Sequence, residues 1–333
     1  MKICVIGQTG KIFFESKETN PWSAFFEHII TDGNSIVTRS DNPNYDALIC
    51  LGYHPSVLTE ELMARVPLSR RILINWEPES VEPELYLEKY YNQFGHRLSP
   101  SRFWAEKIEG SFFPWPQEKL LAAPKFEDWK VRELKIAMIQ ANKYSAHKDA
   151  MYALRRRAIW KLGEKGFLKL YGKDWNSSPL LNLRKWVSNA RRQKVQNISL
   201  NIGTISRPPS GVYVGEVLDK NSTYKSFQIA LVIENSLDYL SEKLFDAVSA
   251  GCVVVYVGAP LGADFTGMPQ ILLPKPTLLD IEQAIYQVMN LTDEQRFRLF
   301  ASQYEILARN EGSRWNFNVF ENLAQDCLRK LYS

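Results

Sequence analysis

Short apolar runs alternate along this chain with stretches in which apolar positions recur every three or four residues. The first pattern marks a buried strand and the second an amphipathic helix. Residues 3–6, 47–51 and 72–75 read as buried strands, the third followed by a helical pattern over 83–93. A second series then begins, with a strand at 134–139, a helix at 148–162 and a strand at 167–171 that ends at Gly172. A strand at 230–233, a helix at 241–250 and a strand at 253–257 follow. Helical patterns over 281–289, 293–308 and 316–331 close the chain. Such alternation predicts βαβ units and mostly parallel sheets. Between the two series, residues 112–125 (FFPWPQEKLLAAPK) carry three prolines and interrupt regular structure. The expectation is an α/β protein of two Rossmann-like domains, 1–126 and 127–333, whose parallel sheets face across a cleft. Ligands in such sheets bind outside the carboxyl ends of the strands.

Composition narrows this picture. The 333 residues suit about two domains. With 45% hydrophobic and 23% charged residues, the chain is well cored rather than disordered. A net charge of +4 suits an anionic small ligand and gives no reason to expect nucleic acid. Cys4, Cys50, Cys252 and Cys327 lie far apart, with no CxxC or Cys/His cluster, so neither a zinc site nor a disulfide framework is expected. The start, MKICVIGQTG, reads as a core strand rather than a signal peptide, and no apolar stretch nears the ~18–20 residues of a membrane span. A cytoplasmic location is the expectation. The segment 180–196 carries Arg184, Lys185, Arg191, Arg192 and Lys194 on a partly amphipathic helical pattern. It is either a solvated face or a surface for peripheral contact with the inner face of a membrane or an anionic acceptor.

The most informative stretch is 224–260, YKSFQIALVIENSLDYLSEKLFDAVSAGCVVVYVGAP. A buried strand runs into Glu234-Asn235-Ser236, and Ser241 suits the N-cap of the next helix, with Glu242 and Lys243 in its first turn. A helix start attracts anions such as a diphosphate, lysine adds a full charge, and glutamate can accept two ribose hydroxyls. An ordinary capped helix shows the same residues without any ligand.

This stretch resembles the donor-binding signature of the family 10 glycosyltransferases, the α1,3/4-fucosyltransferases, roughly YKFxLxFENSxxxDYxTEKxxxAxxxGxVPVxxG. The matches are Tyr224-Lys225, Glu234-Asn235-Ser236, Asp238-Tyr239, Glu242-Lys243, Ala247, Gly251 and Gly258. The resemblance implies a GT-B fold, GDP-fucose as donor, no tightly bound cofactor, and an inverting transfer to a hydroxyl of an acceptor glycan in α1,3-type linkage. It also implies that Asn235, Tyr239, Glu242 and Lys243 contact the nucleotide sugar, and that the last helix packs back on the first domain. Residues 141–154 (ANKYSAHKDAMYAL) resemble the family's strand-to-helix segment with a diphosphate-binding arginine, which falls on Lys148. Lysine keeps the charge and loses the bidentate fork. Arg155, Arg156 and Arg157, one to two turns later, are candidates for a substitute, and at least two of the three are expected in solvent. Tyr171-Gly172 matches a family dipeptide. In the first half, ILINWEP at 72–78 sits where the family has a strand ending in its general base, which would be Glu77, with Glu79 as the alternative. A plain acidic loop is the competing reading of the same residues.

Absences exclude other classes. There is no Asp-x-Asp, GxGxxG or GxxxxGK[ST], so metal-dependent GT-A, dinucleotide and P-loop readings fall away. His28, His54, His96 and His147 lack ligand spacing, and no metal is expected. Two alternatives stay open: the same fold with another GDP-sugar donor, and a catalytically silent glycan-binding protein.

Overall fold

The computed structural model describes residues 1–6, 22–31, 34–37, 44–52, 64–115, 120–192, 207–261, 265, 276–309 and 319–332. In chain order the elements are β1 Lys2–Ile6, α1 Trp22–Thr31, β2 Ser35–Val37, β3 Ala47–Leu51, β4 Arg71–Ile74, α2 Glu88–Tyr91 and β5 His96–Ser99. Next come α3 Arg102–Lys107, β6 Ser111–Phe112, α4 Phe126–Lys130, β7 Glu133–Ile139, α5 Tyr152–Glu164, β8 Leu168–Tyr171 and α6 Pro179–Arg192. The rest are β9 Tyr213–Gly215, α7 Lys220–Tyr224, β10 Phe227–Ile233, α8 Lys243–Ser249, β11 Val253–Val257, α9 Leu278–Met289, α10 Asp293–Arg309 and α11 Val319–Tyr332. They form two compact units: unit 1 is Met1–Lys119 with Gly312–Ser333, and unit 2 is Leu120–Glu311.

In unit 1 six strands pair in parallel in the order β2-β1-β3-β4-β5-β6. All five residues of β3 (ALICL) are buried, as expected of a parallel strand covered on both faces. One face packs Ile3, Ile49, Ile72 and Ile74 against Phe25 and Ile29 of α1 and Leu323 and Cys327 of α11. The other packs Cys4, Leu48, Cys50 and Leu73 against Leu85, Tyr90, Phe94 and Trp104. The last helix therefore completes the first unit's core, and the Tyr332 hydroxyl bonds Asn34 at 2.7 Å.

In unit 2 five strands pair in parallel in the order β11-β10-β7-β8-β9. Every residue of β10 (FQIALVI) is buried. Trp129 of α4 is fully buried and its indole donates to the Gly251 carbonyl at 2.6 Å. Gly251 has φ +99°, and a Cβ there would lie 2.6 Å from the Arg132 guanidinium. Only glycine suits both demands.

Several elements differ from expectation. The stretch 83–93 is a 3-10 turn, Pro83–Tyr86, then the single turn α2, because Leu87 is extended between them. Two tertiary bonds hold that break: the Tyr86 hydroxyl to the Glu77 carbonyl, 2.7 Å, and the Tyr90 hydroxyl to the Gly52 carbonyl, 3.0 Å. Helix α5 starts at Tyr152 rather than 148, because Ala150 bridges Ser236 and the Met151 N–H donates to the Asn235 carbonyl at 3.0 Å. Strands β2, β5, β6 and β9 had no clear sequence signal. All four cysteines are buried and none is in a disulfide. Among the described residues no helix is long and apolar enough to cross a membrane.

Candidate functional site

The signature residues of unit 2 converge where β10 and β11 end. Glu234 follows β10 directly and is fully buried. Its carboxylate accepts from the Ser241 N–H at 2.9 Å, from the Ser241 hydroxyl at 2.8 Å, and from the Lys243 ammonium at 3.4 Å. Lys243 also donates to the Ser241 hydroxyl at 2.8 Å. Ser241 was expected as the cap of the following helix. Helix α8 begins at Lys243, with Glu242 at its N-cap position making no side-chain cap bond; the Ser241 hydroxyl accepts from the Lys243 backbone N–H at 3.4 Å and also donates to the buried carboxylate. Burial opposes the charge of Lys243, but Glu234 and Glu242 outweigh it and raise the pKa. Burial would likewise raise the Glu242 carboxyl, yet Lys243 and Lys220 hold it down to about 2. Lys220 of α7 bridges Glu242 at 3.1 Å and Asp246 at 3.0 Å. No local pattern points to Lys220, which lies 22 residues before Glu242 in the chain and meets it only because α7 packs on α8.

Gly258 closes this arrangement. A Cβ there would lie 2.3 Å from the Tyr256 hydroxyl and 2.6 Å from Glu234 Cγ, so the glycine is what lets β11 end against the buried carboxylate. Gly172 has the same logic after β8: φ is +122° and a Cβ would meet the Gln140 carbonyl at 2.2 Å. The Trp175 indole donates to that same carbonyl at 2.6 Å.

Asn235 and Tyr239 are both buried beside this network. Asn235 is held by Arg155, whose guanidinium donates to its Oδ1 at 3.2 Å and to the carbonyls of Ile233 and Glu234 at 2.7 and 3.1 Å. Arg156 donates to the Lys143 carbonyl at 2.6 Å and lies 4.1 Å from the Tyr144 ring. Burial pushes both guanidinium groups down to about 10. Of the three arginines, only Arg157 is in solvent. Expecting two of them there was wrong, because carbonyls and tyrosine rings take the charge inside. Lys148 is not brought into this cluster by any bond among the described residues. Its side chain is 85% exposed and lies 4.0 Å from Asp149.

In unit 1, Glu77 lies three residues beyond the end of β4 and is half-buried, as is Glu79. The bond from Tyr86 fixes the Glu77 backbone, and Tyr86 in turn packs on Trp104, ring centroids 4.3 Å apart. Trp76, just before Glu77, packs on Trp115 with centroids 6.4 Å apart.

Two Rossmann-like units, each with a parallel sheet and helices on both faces, define the GT-B fold, and this chain has it. Solved structures that it resembles include a DNA-modifying β-glucosyltransferase studied with and without uridine diphosphoglucose, at 11% identity and TM-score 0.54 over 98% of this chain and 99% of that one. Anabaena HepE in complex with UDP-glucose is similar at 11% identity and TM-score 0.54, over 99% of this chain and 100% of that one. An α1,3-fucosyltransferase is similar at 14% identity and TM-score 0.53, over 98% and 90%. No family model and no curated protein matches the sequence.

Proposed function

We propose that this protein is an inverting glycosyltransferase that moves fucose from GDP-fucose to a hydroxyl of an acceptor glycan. The observation that carries the reading is the convergence of Glu234, Asn235, Tyr239, Glu242 and Lys243 at the strand ends of unit 2, in the register of the fucosyltransferase signature. Similarity in fold to a β-glucosyltransferase studied with uridine diphosphoglucose, and to HepE solved with UDP-glucose, supports the general class.

In this reading the acceptor oxygen attacks the anomeric carbon and its proton passes to the Glu77 carboxylate. The bond from that carbon to the diphosphate breaks, and GDP leaves with the electron pair. Lys243 and Lys148 balance the charge that builds on the leaving group, while Asn235, Tyr239 and Glu242 hold the nucleotide sugar. Arg155 keeps Asn235 oriented. Lys148 in place of an arginine favours testing other donors beside GDP-fucose, UDP-glucose among them.

The deciding experiment is a melting-temperature series with GDP and UDP, followed by a donor panel read as nucleotide released in the presence of glycan acceptors. GDP at 100 times its dissociation constant should add about 2.7 kcal/mol of stability. No shift at millimolar GDP would favour a silent glycan-binding protein, and release from another donor alone would replace fucose. For peripheral contact, we propose helix α6 as the surface. It has no acidic residue, and its exposed positions include Leu180, Leu181, Arg184 and Arg191.

A further inference from the structure

Unit 1 carries a groove of about 330 Å³ that the proposed transfer step leaves unused. Ser111, Phe112 and Pro114 line one side, at and just beyond β6, and Asn322 and Asp326 of α11 line the other, over Leu323. The volume is at the lower end of the roughly 300–1,000 Å³ of ligand pockets, enough for a single ring rather than an extended chain. The lining mixes ring surface with planar polar groups. Phe112 is half-buried, and the Arg102 guanidinium lies 4.1 Å from its ring. Asp326 is 3.3 Å from Lys330 and 3.8 Å from Arg329, pairs along the helix surface that are individually weak. Its carboxylate thus keeps acceptor sites for hydroxyl donors, while Asn322 supplies a donor and an acceptor together. Those neighbouring cations also balance the carboxylate, so the groove has no strong preference for a charged ligand.

A pyranose fits this chemistry, with its apolar C–H faces against the aromatic wall and its hydroxyls toward the carboxylate and amide. The groove wall is also connected to the proposed base through neighbouring residues. Pro114 precedes Trp115, Trp115 packs on Trp76, and Trp76 precedes Glu77. We infer that the groove between β6 and α11 is a subsite for a neutral pyranose ring of the acceptor glycan, distinct from the ring whose hydroxyl reacts. This rests on the transferase reading above.

The test is saturation-transfer NMR on the full chain, without donor, using methyl pyranosides of glucose, galactose and N-acetylglucosamine as probes. At least one should show saturation transfer. Asp326→Ala, and Asn322→Trp, which fills the groove from an exposed position, should each weaken that binding at least about tenfold, the effect of one lost charge-assisted bond or of blocked entry. If the tryptophan variant fails to fold, the alanine variant still decides. No saturation from any probe, or binding that survives both substitutions, overturns the subsite. The melting shift with GDP, measured on the same wild-type sample, reports separately on the transferase reading. Its presence leaves that reading standing when the groove fails, and its absence strikes the reading while groove binding still marks a sugar site.

Discussion

In the proposed reaction Glu77 and Lys243 have separable tasks, proton removal and charge balance on the leaving group. Glu77→Gln keeps shape and removes basicity, so turnover should fall at least about a hundredfold, with GDP affinity unchanged in calorimetry. Retained activity in Glu77→Gln together with its loss in Glu79→Gln would move the base by two residues. Lys243→Ala should weaken GDP binding about tenfold or more, since charge-assisted bonds contribute roughly 1.5–3 kcal/mol. The structure adds a second consequence. Glu234 would remain buried without its cation, and breaking such a pair typically destabilises by about 3–5 kcal/mol. The melting temperature of this variant should therefore drop even without nucleotide, and normal GDP binding in a folded Lys243→Ala protein would refute its role. Glu242 gives a pH signature. Its folded pKa of about 2 is below the ordinary 4.5, so its contribution is complete above about 4.5 and fades as pH falls toward 2. The stability gap between wild type and Glu242→Gln should shrink over that window; a gap independent of pH would show that Lys220 and Lys243 do not hold the carboxylate as described.

Among the elements, α6 is the one whose role the fold leaves most open to measurement. Leu180 is 75% exposed, and Lys185 pairs with the exposed Asp174 at 3.1 Å. Arg184 and Arg191 are left on the exposed face beside the leucines. Each basic residue near an anionic surface contributes about 1 kcal/mol. Co-sedimentation with phosphatidylserine-containing vesicles should thus fall in Arg184→Glu/Arg191→Glu, and vesicles of neutral lipid should bind neither protein. Equal binding of the double variant to anionic vesicles would return α6 to a solvated face. The helix itself was legible from its periodicity, as were β3, β7, β10 and β11 from their apolar runs. Strand β5, with His96 and Arg97, and β6, with two residues, were not. They are short and partly polar, and their pairing with the preceding strand is what makes them strands.

For the molecule as a whole, the residues proposed to hold nucleotide belong to Leu120–Glu311, while Glu77 belongs to the unit completed by α11. Hydrogen exchange with and without GDP should slow in peptides spanning 227–243 and stay unchanged in 71–86. Protection confined to the second of these segments would reverse the assignment of the two units.

The sequence by itself determined the parallel α/β class, through apolar runs that only strands covered on both faces need. It also set the register of the 224–258 signature, because chain spacing alone carries that pattern. Which groups would meet was decided by tertiary structure. Ser241, which accepts from the Lys243 N–H at the start of α8, also became a partner of Glu234, since a fully buried carboxylate needs every donor within reach. Arg155 and Arg156, part of a basic run that reads as solvated, lie inside because carbonyls at the end of β10 and the Tyr144 ring receive them. Lys220 joined Glu242 and Asp246 only once α7 packed on α8. Burial and long-range pairing depend on neighbours distant in sequence, and no local pattern encodes them.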